Sequence, residues 1–280
     1  MVSSVDGFYN YINERHSIYI RRSIGEAFPW TDDEILQTYS FCNVYRELDK
    51  VTVWIRENWK EPYTDHPNLP FAMAVARQIN WPDTLQEIGF PEHWNPERVK
   101  AIMQGRLDRK EKVYTGAYML TGTLGGTKVE QTIDKILTPL YENPPPIHHH
   151  SLQDTWAEYL PYAGFSGFMA YEVVTDLRHS KYLENAEDIM TWANAGPGAK
   201  RGLNRIHGRP LEQTIKPNQL NAEMAELLDL ASEYGAVYLP TLEMREIEHC
   251  LCEYDKYERV RLGEGRPRAK FKYTGETKWV

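Results

Sequence analysis

The residues that point most directly to chemistry lie between positions 160 and 209. This stretch contains two glycine-rich turns, LPYAGFS at 160–166 and GPG at 196–198. A glycine-rich turn in front of a helix presents free backbone N–H groups, and the cations that follow the second turn complete an anion site. Because Asp176 lies between the two turns, the pattern predicts a protein that holds a phosphate backbone and presents a carboxylate to a group bound there.

Length and composition limit the class of protein. A chain of 280 residues with 41% hydrophobic residues can bury a substantial core and is typical of globular proteins. The net charge of −8 argues against an indiscriminate nucleic-acid binder. The charge is uneven, however, because residues 256–280 carry eight Lys or Arg against three Glu. This basic segment could therefore still bind DNA locally.

The cysteines indicate a reducing compartment. Cys42, Cys250 and Cys252 are odd in number and form no Cys-x-x-Cys pair, so they indicate neither a disulfide framework nor a zinc signature. The first residues lack the apolar centre of a signal peptide, and no run is long enough to span a membrane. We expect a soluble cytoplasmic protein without a membrane partner.

Helical periodicity dominates the chain, and alternating segments typical of strands are missing. The fold class is therefore predicted to be mainly α, with two lobes. We expect an N-terminal helical lobe at 1–143, a Pro/His linker at 144–151, a second helical lobe at 152–258 and a basic tail at 259–280.

In the first lobe, a helix is predicted from a capping box formed by Thr31 and Glu34. Three polar residues at three-residue spacing, Asn43, Arg46 and Asp49, would share one face of this helix. A solvated polar face is the alternative interpretation of this trio.

Two further patterns look like ligand sites and are interpreted otherwise. The run TGTLGGTK at 121–128 would need Ser or Thr after the lysine to form a phosphate loop, but Val129 stands there. It is predicted to be a turn before a helix at 128–140, with an accessory phosphate contact through Lys128. The three histidines at 148–150 are predicted to be a polar connector, because adjacent side chains do not converge on one ion. No metal-ligand cluster is expected.

The turn LPYAGFS, the apolar helix after it and Asp176 resemble the helix-hairpin-helix DNA glycosylases. In that superfamily the hairpin binds backbone phosphate, and an aspartate beyond it serves the reaction at the flipped nucleotide. The resemblance implies a two-lobed helical fold in which residues 152–258 form the hairpin-bearing lobe. The chain departs from the motif because Phe165 and Ser166 follow Gly164, and because the distance to Asp176 is short.

Three other blocks carry a closer resemblance: PWTDDEILQTYSFCNVYRELDKVT, TWANAGPGAKRGLNR and EHCLCEYDKYERVRLGEGRPR. They resemble the bacteriophage-type α-glutamyl/putrescinyl-thymine pyrophosphorylase family. That family shares the glycosylase-like helical fold and is related to the helical domain attached to 5-hydroxymethyluracil DNA kinases. The blocks are spread over nearly the whole chain, so the resemblance is global.

The resemblance implies a place in thymine hypermodification. A kinase converts hydroxymethyluracil in phage DNA to a pyrophosphate ester, and a transferase then replaces pyrophosphate with an amino acid or polyamine. This chain has no Walker motif, so the transferase step is the leading assignment. The implied partners are DNA containing modified uracil, a small amine or amino acid, and a 5-hydroxymethyluracil DNA kinase. Magnesium could accompany the pyrophosphate, and no other cofactor is expected. The implied location is the cytoplasm of an infected host.

This chemistry assigns candidate residues to each requirement. A carboxylate must accept the proton of the amine, and the candidates are Asp176 first, then Asp49 and Asp33. A pocket must hold the flipped base, and its candidates are Trp30, Phe41, Asn43, Tyr45 and Trp192. The DNA backbone and pyrophosphate need cations and N–H groups, for which the candidates are Arg22, Arg46, Gly164, Asn194, Gly196, Gly198, Lys200, Arg201, Arg205, Lys256, Arg259 and Arg266. The carboxylate of an amino-acid substrate would bind Arg178 or Arg205.

Simpler interpretations remain open for these residues. The tryptophans could be core residues, Asp176 could form a structural ion pair with Arg178, and Asp33 could simply favour a helix dipole. Two other functions also remain: a glycosylase that excises a modified pyrimidine, and a helical domain that binds modified DNA without turnover and recruits a kinase.

Overall fold

The computed structural model describes residues 4–115, 124–236, 238 and 240–273, and helices account for most of the ordered elements. The α-helices in this part of the chain are α1 (Val5–Ser23), α2 (Glu34–Thr38), α3 (Lys50–Ile55), α4 (Leu69–Ile79), α5 (Pro82–Ile88), α6 (Pro96–Asp108), α7 (Lys128–Glu130), α8 (Thr138–Glu142), α9 (Leu152–Tyr159), α10 (Gly167–Arg178), α11 (Pro197–Ile206), α12 (Pro217–Leu230) and α13 (Met244–Arg261). A 3-10 turn occupies Arg46–Leu48, and π-helical segments occupy Arg56–Lys60 and Gln131–Leu137.

The prediction of a mainly α fold is confirmed. No strand forms in the described ranges, where an isolated antiparallel bridge joins Tyr39 to Lys270. Several helices begin where their local capping signals predict. Ser4 caps α1 through its side chain, and Asn95 caps α6 with Pro96 in the first turn. None of the helices in the described ranges is long and apolar enough to cross a membrane.

The chain divides into two compact units. Among the described residues, unit 1 takes 4–49 together with 189–273, and unit 2 takes 50–188. These bounds differ from the predicted lobes, because the first 49 residues group with the C-terminal part of the chain. The predicted linker at 144–151 lies inside unit 2. Its prolines and histidines connect two helices of one unit.

Helix α13 forms the centre of unit 1, and α11 packs along it more extensively than any other pair of helices in the described part of the molecule. Two glycines of α11 permit this approach. A Cβ on Gly202 would lie 2.5 Å from the backbone oxygen of Leu251, and one on Gly198 would overlap the Cys252 sulfur. Gly198 was predicted to bind phosphate in a hairpin turn. In the structure it is buried in α11, where it allows the two helices to pack closely.

The predicted basic tail begins later than expected, because α13 continues to Arg261. The chain then folds back on unit 1, where Phe271 N donates to Thr38 O at 2.9 Å and Ser40 N donates to Ala269 O at 3.2 Å. Phe271 and Tyr273 pack against Phe28 and Trp30. This part of the tail is therefore ordered, and residues 274–280 lie outside the described ranges.

Unit 2 is built around α4, whose residues are buried on nearly every side. Helix α10 packs against α4 and α9. A buried ion pair between Arg77 of α4 and Asp176 of α10 joins these two helices. The loop from 160 to 166 connects α9 to α10, so the predicted order of helix, glycine turn and helix is present here.

Two predicted helices are wrong. The segment after Pro29 does not form one long helix: α2 ends at Thr38, and residues 40–45 form a loop. Asp33, rather than Thr31, caps α2, because its carboxylate accepts the N–H groups of two residues in the first turn. A second helix, which we expect from the sequence between Arg178 and the turn at Gly196, does not form, and turns occupy most of that segment. The glycine run at 121–128 is only partly described, since residues 116–123 lie outside the described ranges.

Candidate functional site

The loop that follows α2 is held against α1 and α13 in unit 1. Arg15 of α1 donates through Nε to the Cys42 carbonyl at 2.9 Å and through Nη2 to the Phe41 carbonyl at 3.1 Å. Glu253 of α13 accepts the Cys42 backbone N–H at 2.9 Å. These charge-assisted hydrogen bonds fix the backbone of the loop from both sides.

Asp49 is positioned by Asn43 across this loop. The Asn43 backbone N and Nδ2 both donate to Asp49 Oδ1, at 3.1 and 3.0 Å. The Asn43 Oδ1 accepts in turn from Arg15 Nη2 at 2.8 Å. Asp49 is half-buried, and burial raises the pKa of its carboxyl although Arg46 and the Asn43 N–H oppose the shift. A partly accessible carboxylate with a raised pKa is the group that general-base chemistry requires.

Two cations lie beside this carboxylate. The positive charge of Arg46 opposes the burial-induced shifts in the pKa values of both Asp49 and Cys42. Lys256 pairs with Glu253 at 2.6 Å, and its Nζ lies 4.7 Å from the centre of the Phe41 ring. Burial would raise the pKa of Glu253, but the positive charge of Lys256 and the hydrogen bond from the Cys42 N–H bring it below its usual value. A half-exposed aromatic ring with cations beside it can contact a nucleobase while the cations bind an anionic group attached to that nucleobase.

His249 and Cys42 complete the group. One potential ligand atom from each of Cys42, Asp49 and His249 lies within 4.8 Å of the other two. The Nε2 atom of His249 is inaccessible to solvent and has no hydrogen-bond partner in the described part of the protein. Burial lowers the pKa of His249 to about 3 and raises the pKa of the Cys42 thiol. The imidazole is therefore neutral at physiological pH. We call these residues the Asp49 cluster; its members are Arg15, Phe41, Cys42, Asn43, Arg46, Asp49, His249, Glu253 and Lys256.

Three predicted phosphate-binding arginines meet elsewhere in unit 1, at a buried carboxylate that the sequence did not single out. Asp255 Oδ1 accepts from Arg205 Nε at 2.8 Å, and Oδ2 accepts from Arg201 Nε at 3.0 Å. Arg259 Nε lies 3.6 Å from the same carboxylate. Arg205 is buried and also pairs with Glu264. The guanidinium of Arg205 thus joins α11 to α13 and to Glu264 in the segment after α13. Arg201 and Arg259 are half-buried.

The remaining predicted backbone contacts are scattered over unit 1. The Gly196 N–H at the start of α11 donates to the Glu248 carboxylate at 3.1 Å. Asn194 is half-buried in the segment before this helix, and Lys200 is exposed on it. Arg22 and Arg266 are exposed, and Arg22 lies 5.6 Å from the Trp30 ring. The second glycine turn therefore faces a carboxylate of α13.

The other two predicted carboxylates are engaged locally. Asp176 is 1% exposed, and its carboxylate accepts from Arg77 through both oxygens, with Nε to Oδ2 at 2.6 Å. Arg77, rather than Arg178, is its ion-pair partner in unit 2. Arg178 is half-buried and lies 3.4 Å from the Glu184 carbonyl. Asp33 caps α2 through Oδ1 and accepts from the Tyr257 hydroxyl through Oδ2 at 2.6 Å.

The predicted base-pocket aromatics do not converge on one point. Trp30 is 7% exposed and packs with Phe28, Phe271 and Tyr273. Trp192 is also 7% exposed. Tyr45 is buried, and its hydroxyl donates to the Pro240 carbonyl.

Phe41 and Asn43 of the predicted pocket belong to the Asp49 cluster. In unit 2, Gly164 adopts φ +77 and accepts from Gln78 through its carbonyl at 3.1 Å. A Cβ at this position would lie 2.5 Å from Ile136, so packing alone accounts for the glycine.

Sequence reasoning missed four members of the cluster: Arg15, Cys42, His249 and Glu253. Arg15 lies on an ordinary amphipathic helix, and its contacts are with residues 26 to 28 positions away. His249 and Glu253 are one helical turn apart on α13, which places them on one face. That spacing was available in the sequence, but it did not indicate which loop would lie opposite.

The class of protein defined by these features is an α-helical protein with a partly accessible acid site lined by cations. A family model described as the helical domain of 5-hmdU DNA kinase matches residues 2–266. The chain is 29% identical over 289 residues to a protein of Bacillus phage SP10 named 5-hmdU DNA kinase. The alignment covers 90% of this chain and 44% of the phage protein, so this chain spans less than half the length of that relative. No solved structure matches the chain.

This protein belongs to the 5-hmdU DNA kinase helical-domain family. The match covers nearly the whole described chain and includes both units. The relation to such kinases that the sequence blocks implied is therefore confirmed at the level of the family.

Proposed function

We propose that this protein acts in phage thymine hypermodification, where it transfers an amine onto 5-pyrophosphoryloxymethyluracil in DNA and releases pyrophosphate. Family membership and the similarity to a phage 5-hmdU DNA kinase support a role in this pathway. The resemblance to the pyrophosphorylase family supports the transfer step. The sequence contains no Gly-x-x-x-x-Gly-Lys-Ser/Thr loop, which favours a step after phosphorylation.

The observation that carries the proposal is the composition of the Asp49 cluster. Among the three predicted carboxylates, Asp176 is buried against Arg77 and Asp33 caps a helix, whereas Asp49 is half-buried beside the positive charge of Arg46. Arg46 and Lys256 can bind the pyrophosphate and stabilise the charge that it gains on leaving. Phe41, half-buried below Lys256, offers a ring for stacking against the extruded base.

The reaction then balances with groups of this cluster. The neutral amine attacks the methylene carbon on the base, and the new C–N bond forms as the C–O bond to pyrophosphate breaks. The electron pair of the broken bond leaves with pyrophosphate. The proton lost by the amine nitrogen passes to Asp49, and burial raises the pKa of this carboxyl, which makes it a better proton acceptor. Magnesium held by the pyrophosphate oxygens is compatible with this scheme.

The test is nucleoside mass spectrometry. DNA containing 5-hydroxymethyluracil is incubated with this protein, a 5-hmdU DNA kinase, ATP and a mixture of amino acids and polyamines. We expect a nucleoside that is heavier by one amine and that forms only when both proteins are present. Release of free base with an abasic site left behind would instead identify a glycosylase.

A second candidate is a DNA-reading domain without turnover. The observations in its favour are that the matching family is described as a domain of a kinase and that the alignment with this chain covers 44% of the phage relative. This candidate predicts that the protein binds modified DNA and raises the yield of the pyrophosphorylated nucleoside, with no amine adduct under any donor. The same mass-spectrometric experiment separates the two candidates.

A further inference from the structure

Three chemically different donor atoms meet in the Asp49 cluster. The thiol of Cys42, the carboxylate of Asp49 and the imidazole of His249 offer one atom each, and all three atoms lie within 4.8 Å of one another. Cys42 lies in the loop after α2, Asp49 directly follows the 3-10 turn, and His249 comes from α13, some 200 positions along the chain. The fold of unit 1 alone brings them together.

His249 supplies an independent indication that a ligand is bound here. Its Nε2 is inaccessible to solvent and has no hydrogen-bond partner in the described ranges. A buried polar nitrogen without a partner is unfavourable, because it has lost its hydrogen bonds to water. A metal ion bound to Nε2 removes that cost, because it engages the lone pair of the nitrogen.

The surrounding hydrogen bonds hold the other two donors in place. Asn43 donates twice to Asp49 Oδ1 and thereby orients the carboxylate. The Cys42 backbone is held on its N–H side by Glu253 and on its carbonyl side by Arg15. Such contacts to the ligands orient them for a metal and strengthen binding.

The donor set selects the metal. Thiolate, imidazole and carboxylate together suit zinc and its neighbours, whereas magnesium prefers oxygen ligands alone. Tetrahedral bonds of about 2.0–2.3 Å place ligand atoms roughly 3.3–3.8 Å apart. The donors within 4.8 Å need only small side-chain rotations to reach that geometry. A thiolate and a carboxylate also offset the charge of a divalent ion.

We propose that Cys42, Asp49 and His249 bind one zinc-class divalent cation, with a fourth coordination position left open to solvent or substrate. Catalytic zinc sites use three protein ligands in this way, whereas structural sites use four. Arg46 and Lys256 lie beside the same cluster, so an anionic oxygen is the natural fourth ligand.

The metal site adds detail to the proposed function, and the step described next rests on that function. With a cation bound, Asp49 is a ligand and no longer accepts a proton. A bound zinc-class ion would instead supply a water that ionises near neutral pH and could accept the proton of the amine. An oxygen of the pyrophosphate group could occupy the same position instead.

Cobalt absorption tests the site without DNA or amine. Chelator-treated, untagged protein is titrated with Co²⁺, and we expect a thiolate-to-cobalt charge-transfer band that saturates at one equivalent and disappears when Zn²⁺ is added. Cys42→Ser should abolish the band. Cys252→Ser is the matched control, because this half-buried cysteine on α13 lies outside the cluster and should retain the band.

A positioning variant and a thermal measurement extend the test. Asn43→Ala should weaken cobalt binding about 10- to 100-fold while leaving the band shape unchanged, as loss of a ligand-orienting contact does. Zn²⁺ should raise the melting temperature of the wild-type protein and leave that of His249→Gln unchanged.

Absence of the cobalt band in the folded wild-type protein would overturn the proposal, as would a band that survives in Cys42→Ser. Because the readout is metal binding alone, a negative result leaves amine transfer standing. A protein that binds cobalt but forms no adduct would leave the metal site standing.

Discussion

Two aspartates in this protein illustrate opposite uses of a carboxylate. In unit 2, Asp176 is 1% exposed and has both oxygens on the guanidinium of Arg77, which is equally buried. In unit 1, Asp49 is half-buried and is held at one oxygen by Asn43. Asp176 lies in a helix, in the stretch that looked most catalytic, and Asp49 lies in a loop that was predicted to be helical.

The difference shows that complete hydrogen bonding, as much as burial, distinguishes a structural carboxylate from a reactive one. The Arg77–Asp176 pair leaves neither charge available to a substrate. Around Asp49, a neutral imidazole and a thiol remain close by, and burial raises its pKa. Groups that are incompletely satisfied by the protein can act on something that the protein binds.

The largest expected effect follows from breaking the pair in unit 2. Asp176→Asn leaves Arg77 buried without a compensating charge, which should lower the free energy of unfolding by about 3–5 kcal/mol. Chemical denaturation monitored by circular dichroism measures this loss. The double variant Arg77→Met/Asp176→Leu should recover most of the stability, because it leaves no buried charge unpaired.

If Asp176→Asn instead keeps wild-type stability and loses amine transfer, Asp176 is the base and its pairing with Arg77 is not needed for the fold.

Asp49→Asn should show the opposite pattern. Asparagine retains an oxygen that can accept from Asn43, so the free energy of unfolding should change by no more than about 1 kcal/mol. Without the carboxylate, the rate of amine transfer should fall about 10²- to 10⁴-fold, which corresponds to roughly 3–5 kcal/mol in the barrier. Single-turnover mass spectrometry on pyrophosphorylated DNA measures the rate.

Asp33→Asn serves as the matched control, since it keeps the cap of α2 and should leave the rate within about threefold. Equal losses in the two variants would argue that the cluster is not the site.

A further prediction concerns Glu246, a carboxylate in the first turn of α13 that is 5% exposed. Burial raises its pKa from 4.5 to about 7, with Arg245 opposing and Glu243 adding to the shift. Because the folded pKa lies above the unfolded one, the folded protein binds more protons between about pH 4.5 and 7. This carboxyl therefore stabilises the fold less as the pH rises through that window.

Glu246→Gln removes this dependence while the side-chain oxygen can still accept from the Glu243 N–H. Relative to wild type, the variant should gain about 2–3 kcal/mol between pH 4.5 and 7.5. Denaturation midpoints at four pH values measure the difference. Glu226→Gln on the exposed face of α12 should show no such gain. A constant difference across the window for Glu246→Gln would contradict the prediction.

The smallest expected effect tests which cations serve the cluster. Lys256→Gln removes the charge beside Phe41 and should weaken binding of pyrophosphorylated DNA about tenfold, or about 1.4 kcal/mol. Fluorescence anisotropy at fixed salt measures it. Lys200→Gln, on the exposed face of α11, should weaken modified and unmodified DNA equally, through nonspecific phosphate contacts alone. Equal losses on both DNAs for Lys256→Gln would remove it from the cluster's function.

The amino-acid sequence by itself determined the helical class and the ends of several helices. Ser4 before α1 and Asn95-Pro96 before α6 are signals read within one turn, because the N–H groups that need capping are only two or three residues away. The cap of α2 shows the limit of such local signals. Thr31 was the predicted cap of α2, and the folded backbone places Asp33 in that role instead.

The candidate site could be predicted only in part. Asn43, Arg46 and Asp49 were grouped correctly, although through the wrong geometry: the helix face does not exist, and a loop lets Asn43 reach Asp49. The cations Arg201 and Arg205 were expected to bind phosphate, but their partner Asp255 lies 50 or more residues away.

What only the tertiary structure decided is which distant groups meet. The approach of His249 to Cys42 and the pairing of Arg77 with Asp176 depend on how α13 and α4 pack against their neighbours. Local sequence controls torsions and caps within a few residues. Contacts across one or two hundred residues arise from the burial of whole helix faces, and no short pattern specifies them.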